Sequence, residues 1–309
     1  MKIIVTGALG HIGSYVIRTL PKSINDINFL LIDNLSTQRF PSLFNLPSSA
    51  HYKFIEADIT NFNLNEVFKG ADIIIHLAAI TDAAGSFNKA EIVESNNLLA
   101  TSRVAESALE NNVKLIMLSS TSVYGTQSNQ VNENCLLDDL NPQSPYAETK
   151  LKEEGLIKEM VKKGLKATIC RFGTIYGPSP GMRFHTAVNK FCWQSVMGQP
   201  LTVWETAYEQ KRPYLDLSDA SKAFEHIILN DLFNGEIYNI LTSNNTVRNV
   251  VDSIKMNIRQ VKIEFVKNKI MNQLSYEVCQ EKFIQTGFKY KGDLDRGIKE
   301  TIEILGGLF

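Results

Sequence analysis

The stretch "IIVTGALGHIG" limits the fold of this 309-residue chain more than any other. Gly7, Gly10 and Gly13, spaced G-x-x-G-x-x-G, stand between a β-branched run and a segment of helical apolar period. Small residues there let the backbone approach a pyrophosphate at a helix N-terminus, with His11 and Ile12 in the same first turn. A tight turn needing positive φ is the plainer explanation of a glycine triplet, but the strand before it and the helix after it favour a nucleotide.

The same alternation runs on through the first half of the chain. Six apolar runs, "KIIVT", "NFLLID", "YKFIEAD", "DIIIHLAA", "VKLIMLSS" and "KATICRF", read as strands. Helical spacing marks His11 to Leu20, closed by Pro21, then Ile92 to Asn111, and Tyr146 to Lys163, closed by Gly164. Strand and helix in turn predict an α/β chain with a Rossmann-type doubly wound parallel sheet, whose strands are apolar throughout because both faces are covered. After "RFGTIYGPSPG" the rhythm breaks at Pro178, Pro180 and Gly181. The expected division is a first domain over residues 1–176 and a smaller mixed α/β domain over 177–309, with some segments returning to the first. Within the second, "TSNNTVRNV" reads as a polar loop leading into a helix.

Composition narrows the partners. Lys plus Arg number 32 against 33 Asp plus Glu, so the net charge of −1 supplies no field for nucleic acid or an anionic membrane. The 4 cysteines, Cys135, Cys170, Cys192 and Cys279, are spaced for neither a disulfide framework nor a metal site. No apolar run approaches the ~20 residues of a membrane span. A soluble, cytoplasmic protein without a metal is expected.

Asp33 ends the second strand 20 residues beyond Gly13, where a carboxylate accepts from both hydroxyls of an adenosine ribose and opposes a 2′-phosphate. That selects NAD over NADP, unless Asp33 merely forms a turn with Asn34. Asp58, beside Ile59, either meets the adenine amino group or caps a helix. Leu77, Ala78 and Ala79 supply a small-residue floor beneath the cofactor. In "SPYAETK", Tyr146 and Lys150 lie four residues apart on one helix face, and among the 10 tyrosines only Tyr146 has a lysine at that offset. A phenol of pKa about 10 is a poor base at neutral pH, but a nearby ammonium and an oxidised nicotinamide favour the phenolate. Such a pair takes a proton from a sugar hydroxyl as hydride leaves the same carbon.

Taken together, "TGALGHIG", "HLAAITD", "SSTSVYG", "SPYAETK", "RFGTIYGP" and "KRPYLDLSDA" resemble segments of the extended short-chain dehydrogenase/reductase superfamily, in particular its NAD-dependent nucleotide-sugar epimerases and dehydratases, nearly end to end. The resemblance implies a catalytic set of Ser120, Tyr146 and Lys150. It places Asn97 and Ser119 with the cofactor, and Thr81, Thr121, Ser122, Thr174 and Arg212 with a nucleotide-diphosphate sugar. Dehydratase relatives carry an Asp-Glu pair after the catalytic hydroxyl; here Thr121 and Ser122 follow it, which takes away the proton carriers for water loss.

The expected reaction is therefore epimerisation at C4 through a transient 4-keto sugar. A reductase, dehydrogenase or dehydratase of the same superfamily is the alternative, and a non-enzymatic NAD sensor the more distant one. Family members commonly form homodimers through the two long helices, and cell-surface polysaccharide synthesis is the expected context. Thr174 and Pro213 depart from the family's usual asparagine and aspartate, which leaves the base and the sugar open.

Overall fold

Ile3, Ile4 and Val5 have no exposed surface, although alternate side chains of a strand point to opposite faces of the sheet. The strand they form, β1 (Lys2–Thr6), is thus covered on both sides. It passes through the glycine turn into α1 (His11–Thr19), and the alternation continues with β2 (Asn28–Asp33), β3 (His51–Glu56), α2 (Leu64–Phe68), β4 (Ile73–His76), α3 (Ala90–Glu110), β5 (Lys114–Ser120), α4 (Pro145–Lys162) and β6 (Ala167–Phe172). In this computed structural model, residues 1–81, 90–127, 130–267 and 275–307 are described.

The six expected strands are all present and pair in parallel in the order β3-β2-β1-β4-β5-β6. One face buries Ile3, Val5 and Leu31 against Val16 and Ile17 of α1. The other buries Ile4, Ile32 and Met117 against Val104 and Ala108 of α3 and Ile157 of α4. Local signals set the helix ends. The Ser144 hydroxyl accepts from the Ala147 amide (3.2 Å) to cap α4, Pro145 fills its first position, and Gly164 follows its end at φ +106°.

Beyond the crossover lie β7 (Thr174–Tyr176), α5 (Ala187–Val196), β8 (Leu201–Trp204), β9 (Lys211–Asp216), α6 (Leu217–Leu229), β10 (Ile237–Ile240), β11 (Ser243–Thr246), α7 (Val247–Asn257), β12 (Ile263–Val266), α8 (Glu281–Ile284) and α9 (Leu294–Gly306). They build a mixed sheet of β7, β9 and β11, a β8-β12 pair, and a core of their own around Phe191, Val203, Val250 and Ile298. Three elements return to the large sheet, among them α8, whose Phe283 packs on Tyr238 of β10. α6 covers the α1 face with Phe224 and Ile227, and β10 pairs with β6 as a seventh parallel strand.

That seventh strand is absent from the six apolar runs. It is four residues long and carries the fully buried Asn239, whose carbonyl accepts from the Tyr124 hydroxyl (2.9 Å) and whose amide donates to the Cys279 carbonyl (3.1 Å). The polar stretch "TSNNTVRNV" also differs from expectation. Its helix, α7, starts at Val247 under a capping box of Thr246 and Asn249, but Ser243–Thr246 is a strand pairing antiparallel to β9. A strand of such low intrinsic preference exists because β9 is there to receive it.

The chain leaves β1 toward β2 on one side and returns through β4 on the other. In a sheet of this kind the switch point opens a crevice at the C-terminal strand ends. No described helix is long and apolar enough to cross a membrane.

Candidate active site

A cavity of about 480 Å3 runs along those strand ends from Asp33 and Asp58 to Tyr146 and Arg212. At its centre the glycine turn is set by close approach. Gly7 has φ +65°, and a Cβ there would stand 2.7 Å from the Ala78 amide nitrogen; one on Gly13 would stand 2.5 Å from the Ala8 carbonyl oxygen. Gly10 is the N-cap of α1, has no side-chain acceptor, and no acid occupies the first turn. The helix therefore presents its terminal amides uncapped, which suits a pyrophosphate.

Residues 177–181 lie against this turn. His11 Nε2 donates to the Gly177 carbonyl (2.8 Å), the Ser179 hydroxyl donates to the His11 carbonyl (2.9 Å), and the Gly181 amide donates to the Ser14 hydroxyl (2.9 Å). Burial, with Arg183 nearby, pulls His11 down to about 3, so its ring is neutral. Ile12 lines the cavity beside it.

At one end, the Asp33 carboxylate accepts from the amides of Leu9 (3.1 Å) and Leu35 (3.0 Å) and is held at the mouth of the crevice. Asp58 accepts from the Thr60 hydroxyl (2.6 Å), the Thr60 amide (2.9 Å) and the Asn34 amide group (3.1 Å), bonds that hold it below the usual carboxylate range. Asp58 does not cap the next helix; that N-cap is Asn63. Ile59, Leu77, Ala78 and Ala79 line the cavity, while Asp82 of "HLAAITD" lies outside the described residues.

One expected cofactor residue is displaced. Asn97 is fully buried, and both ends of its amide are taken by the backbone of Ile80 (2.8 and 3.0 Å). It braces the segment after β4 from behind, and Asn96 lines the cavity instead. The helical phase of α3 decides between them, and adjacent asparagines carry no signal of it.

The hydroxyls after β5 divide their work. Ser119 donates to Glu154 (2.5 Å), Thr121 donates to the Phe172 carbonyl (3.2 Å), and Ser122 donates to Ser120 (2.8 Å), whose oxygen also accepts the Ser122 amide (3.2 Å). Ser120 alone of the four gathers donors at the cavity wall, which leaves its own proton to be given. Beneath it Arg171 grips Glu154 with two bonds, Nε to Oε1 at 2.8 Å and Nη2 to Oε2 at 2.7 Å, and both residues are buried.

Tyr146 and Lys150 stand on α4 at the same wall, the Lys150 Nζ 5.8 Å from the Tyr146 ring centroid. Lys150 is buried, and Nζ lies 2.7 Å from Glu153 Oε2. Burial lowers the ammonium, but Glu153, Tyr146 and Glu154 outweigh it, and Lys150 stays above the ordinary lysine range. His76 is a core residue, neutral because burial and Lys150 pull it down to about 3.

The far end belongs to the second set of elements. Thr174, at the start of β7, and Arg212, on β9, line it with Thr81, which accepts from Arg183. The Arg212 Nε is buried with no hydrogen-bond partner among the described residues. Arg183, Thr186, Gln143 and Tyr276 also line this end and escaped the sequence reading. Arg183 had a signal, a lone cation in the Pro- and Gly-rich crossover; Tyr276 had none.

Residues 3–240 match the family model described as "NAD dependent epimerase/dehydratase family". A Bacillus subtilis protein described as an uncharacterized UDP-glucose epimerase is 32% identical over 78% of this chain and 76% of its own. The dTDP-D-glucose 4,6-dehydratase of Mus musculus is 28% identical over 98% of this chain and 88% of its own. Among solved structures, UDP-glucuronic acid 4-epimerase from Bacillus cereus, in complex with UDP-glucuronic acid and NAD, is 26% identical and superposes with a TM-score of 0.88 over 100% of both chains.

Proposed function

This chain belongs to the NAD dependent epimerase/dehydratase family, and from that premise we propose that it interconverts the C4 epimers of a nucleotide-diphosphate sugar. NAD, seated along the glycine turn, supplies the acceptor and donor of hydride. Asp33 and Asp58 take its adenosine end, the uncapped start of α1 its pyrophosphate, and Lys150 the ribose next to Tyr146. The Tyr146 oxygen removes the proton of the sugar O4 and returns it after the 4-keto sugar has presented its other face. Ser120 donates a hydrogen bond to O4 throughout. Arg212 and Arg183 face the substrate half with two guanidiniums, a match for a diphosphate. Residues 1–176, completed by α6 and β10, form the cofactor domain, and most of the remainder forms the substrate domain.

The observation that carries the choice of epimerase over dehydratase is the acid-free strand tip. Thr121 and Ser122 follow Ser120, and neither moves a proton to or from carbon. The two long helices, α3 with Ile92 and Leu99 exposed and its neighbour α4, are the proposed homodimer face of a cytoplasmic enzyme of polysaccharide synthesis; light scattering of the purified protein tests the dimer.

The direct test of the reaction is NMR of the protein incubated in D2O with UDP-, dTDP-, CDP- and GDP-sugars, UDP-glucose and UDP-glucuronic acid included. A C4 epimer free of deuterium at carbon supports the proposal. Loss of water, or deuterium at C3 or C5, would refute it and favour the dehydratase alternative.

A further inference from the structure

Glu153 is the residue in this wall that the reaction leaves unexplained. It is almost wholly buried on α4, one turn after Lys150, and its Oε2 lies 2.7 Å from Nζ. Its Oε1 accepts from the Thr101 hydroxyl of α3 (2.8 Å). The Thr101 proton is thereby committed, so its oxygen accepts from His76 Nε2 (3.3 Å), and His76 Nδ1 in turn accepts from the Thr6 hydroxyl of β1 (2.7 Å). The hydrogen bonds from β1 to α4 thus run toward Glu153, which stands as the terminal acceptor of the chain beside the Lys150 ammonium.

A buried ion pair is poor support for stability alone, since apolar side chains of the same volume often do as well. The neighbouring pair has a structural task, because Glu154 ties Arg171 and Ser119 together. Glu153 touches neither. We propose that Glu153 is a positioning residue for Lys150, whose carboxylate fixes Nζ in one place and sets the positive potential met by the Tyr146 phenol. The other charged or titratable groups facing the pair are His76 of β4, Glu154 with Arg171 of β6, and Arg183, Arg212 and Tyr276 across the cavity. His76 is neutral and Arg171 is matched by Glu154, so Glu153 is the charge that balances Lys150.

The inference rests on Tyr146 and Lys150 being the proton-handling pair, but its test needs no substrate. The phenolate absorbance of Tyr146 is taken as the difference between each protein and the same protein carrying Tyr146→Phe, followed against pH with and without NAD. In Glu153→Gln, with one negative charge removed beside Lys150, the phenolate forms about one pH unit lower. Glu153→Asp, which keeps the charge but not the reach, moves the curve the same way by less, and it serves alone if the glutamine variant does not fold. A merely structural role would lower the melting temperature and leave the curve in place. An unmoved or upward-shifted curve would overturn the proposal. Absence of NAD binding by the parent protein would count against the proposed function instead, and the cofactor-free curves would still decide the role of Glu153.

Discussion

Replacing Glu154 by Gln removes the charge opposite a guanidinium that has no exit to water. Arg171 is buried, and its Nε and Nη2 lie 2.8 and 2.7 Å from the two carboxylate oxygens. An amide keeps one acceptor oxygen and turns a donor toward the other nitrogen, so one bond is lost and a cation is left uncompensated. Breaking a buried pair from one side costs about 3–5 kcal/mol. For a chain of this size that corresponds to a fall in melting temperature of roughly 5–8 °C. With the amide oxygen in the Oε1 place, Ser119 and the Arg171 Nε keep their shared acceptor while the new NH2 faces Nη2, so the guanidinium must shift, the segment leading to Ser120 shifts with it, and kcat falls with stability. The double variant Glu154→Leu with Arg171→Met removes both charges and their desolvation, and is expected within ~2 kcal/mol of the parent. Urea unfolding of parent, singles and double, with NAD at saturation, gives the complete cycle. A Glu154→Gln loss below ~1 kcal/mol, or a double variant equal to the sum of its singles, would refute the argument.

Gly181→Ala places a Cβ 2.3 Å from the Leu9 carbonyl oxygen and 2.5 Å from that of Gly10, so the crossover must lift from the glycine turn; the expected result is a lower melting temperature and loss of NAD during gel filtration, read from cofactor content after denaturation. Asp33→Asn weakens charge-assisted bonds to the ribose, so NAD binding should fall ~10-fold or more while NADP gains relative to it, measured by calorimetry with both nucleotides. His11 and His76 are held at about 3 against an ordinary value of 6.5, so between those values the unfolded chain binds protons that the folded one refuses. Stability is then full above pH 6.5 and drops as pH falls, by about 2 kcal/mol per histidine between pH 7 and 5, and His76→Asn should flatten that slope in urea unfolding.

How much of this was legible in the sequence follows from where each residue gets its partner. Five of the six strands were visible because they are buried on both faces, which leaves an unbroken apolar run such as Ile73 to Ile75, whereas the edge strand β3 has no buried residue and showed only the short run around Phe54 and Ile55. The glycine turn was visible because its three glycines recur at a fixed spacing between a strand and a helix, although the backbone that Gly7 must clear, that of Ala78, lies far away in the chain and only Gly13 answers to its own turn, at Ala8. Tyr146 and Lys150 sit on one helix, so their spacing alone brings them to one side. β10 and β11 were not visible, since Asn239 and Ser243–Thr246 owe their conformation to neighbours far away in the chain. The same holds for Arg183 and Tyr276, brought to the cavity by the second set of elements. Asn97 was found but given the wrong neighbour, because its place depends on a helical phase that differs by one residue from that of Asn96.

The three polar contacts between residues 177–181 and the glycine turn bear on how such a protein lives among the other redox reactions of a cell. A nucleotide held firmly by a turn braced in this way would cycle between its two oxidation states in place rather than trade with the surrounding pool. The ratio of the two sugars would then follow their own free energies and ignore whether the cell is starved or flush with reducing equivalents.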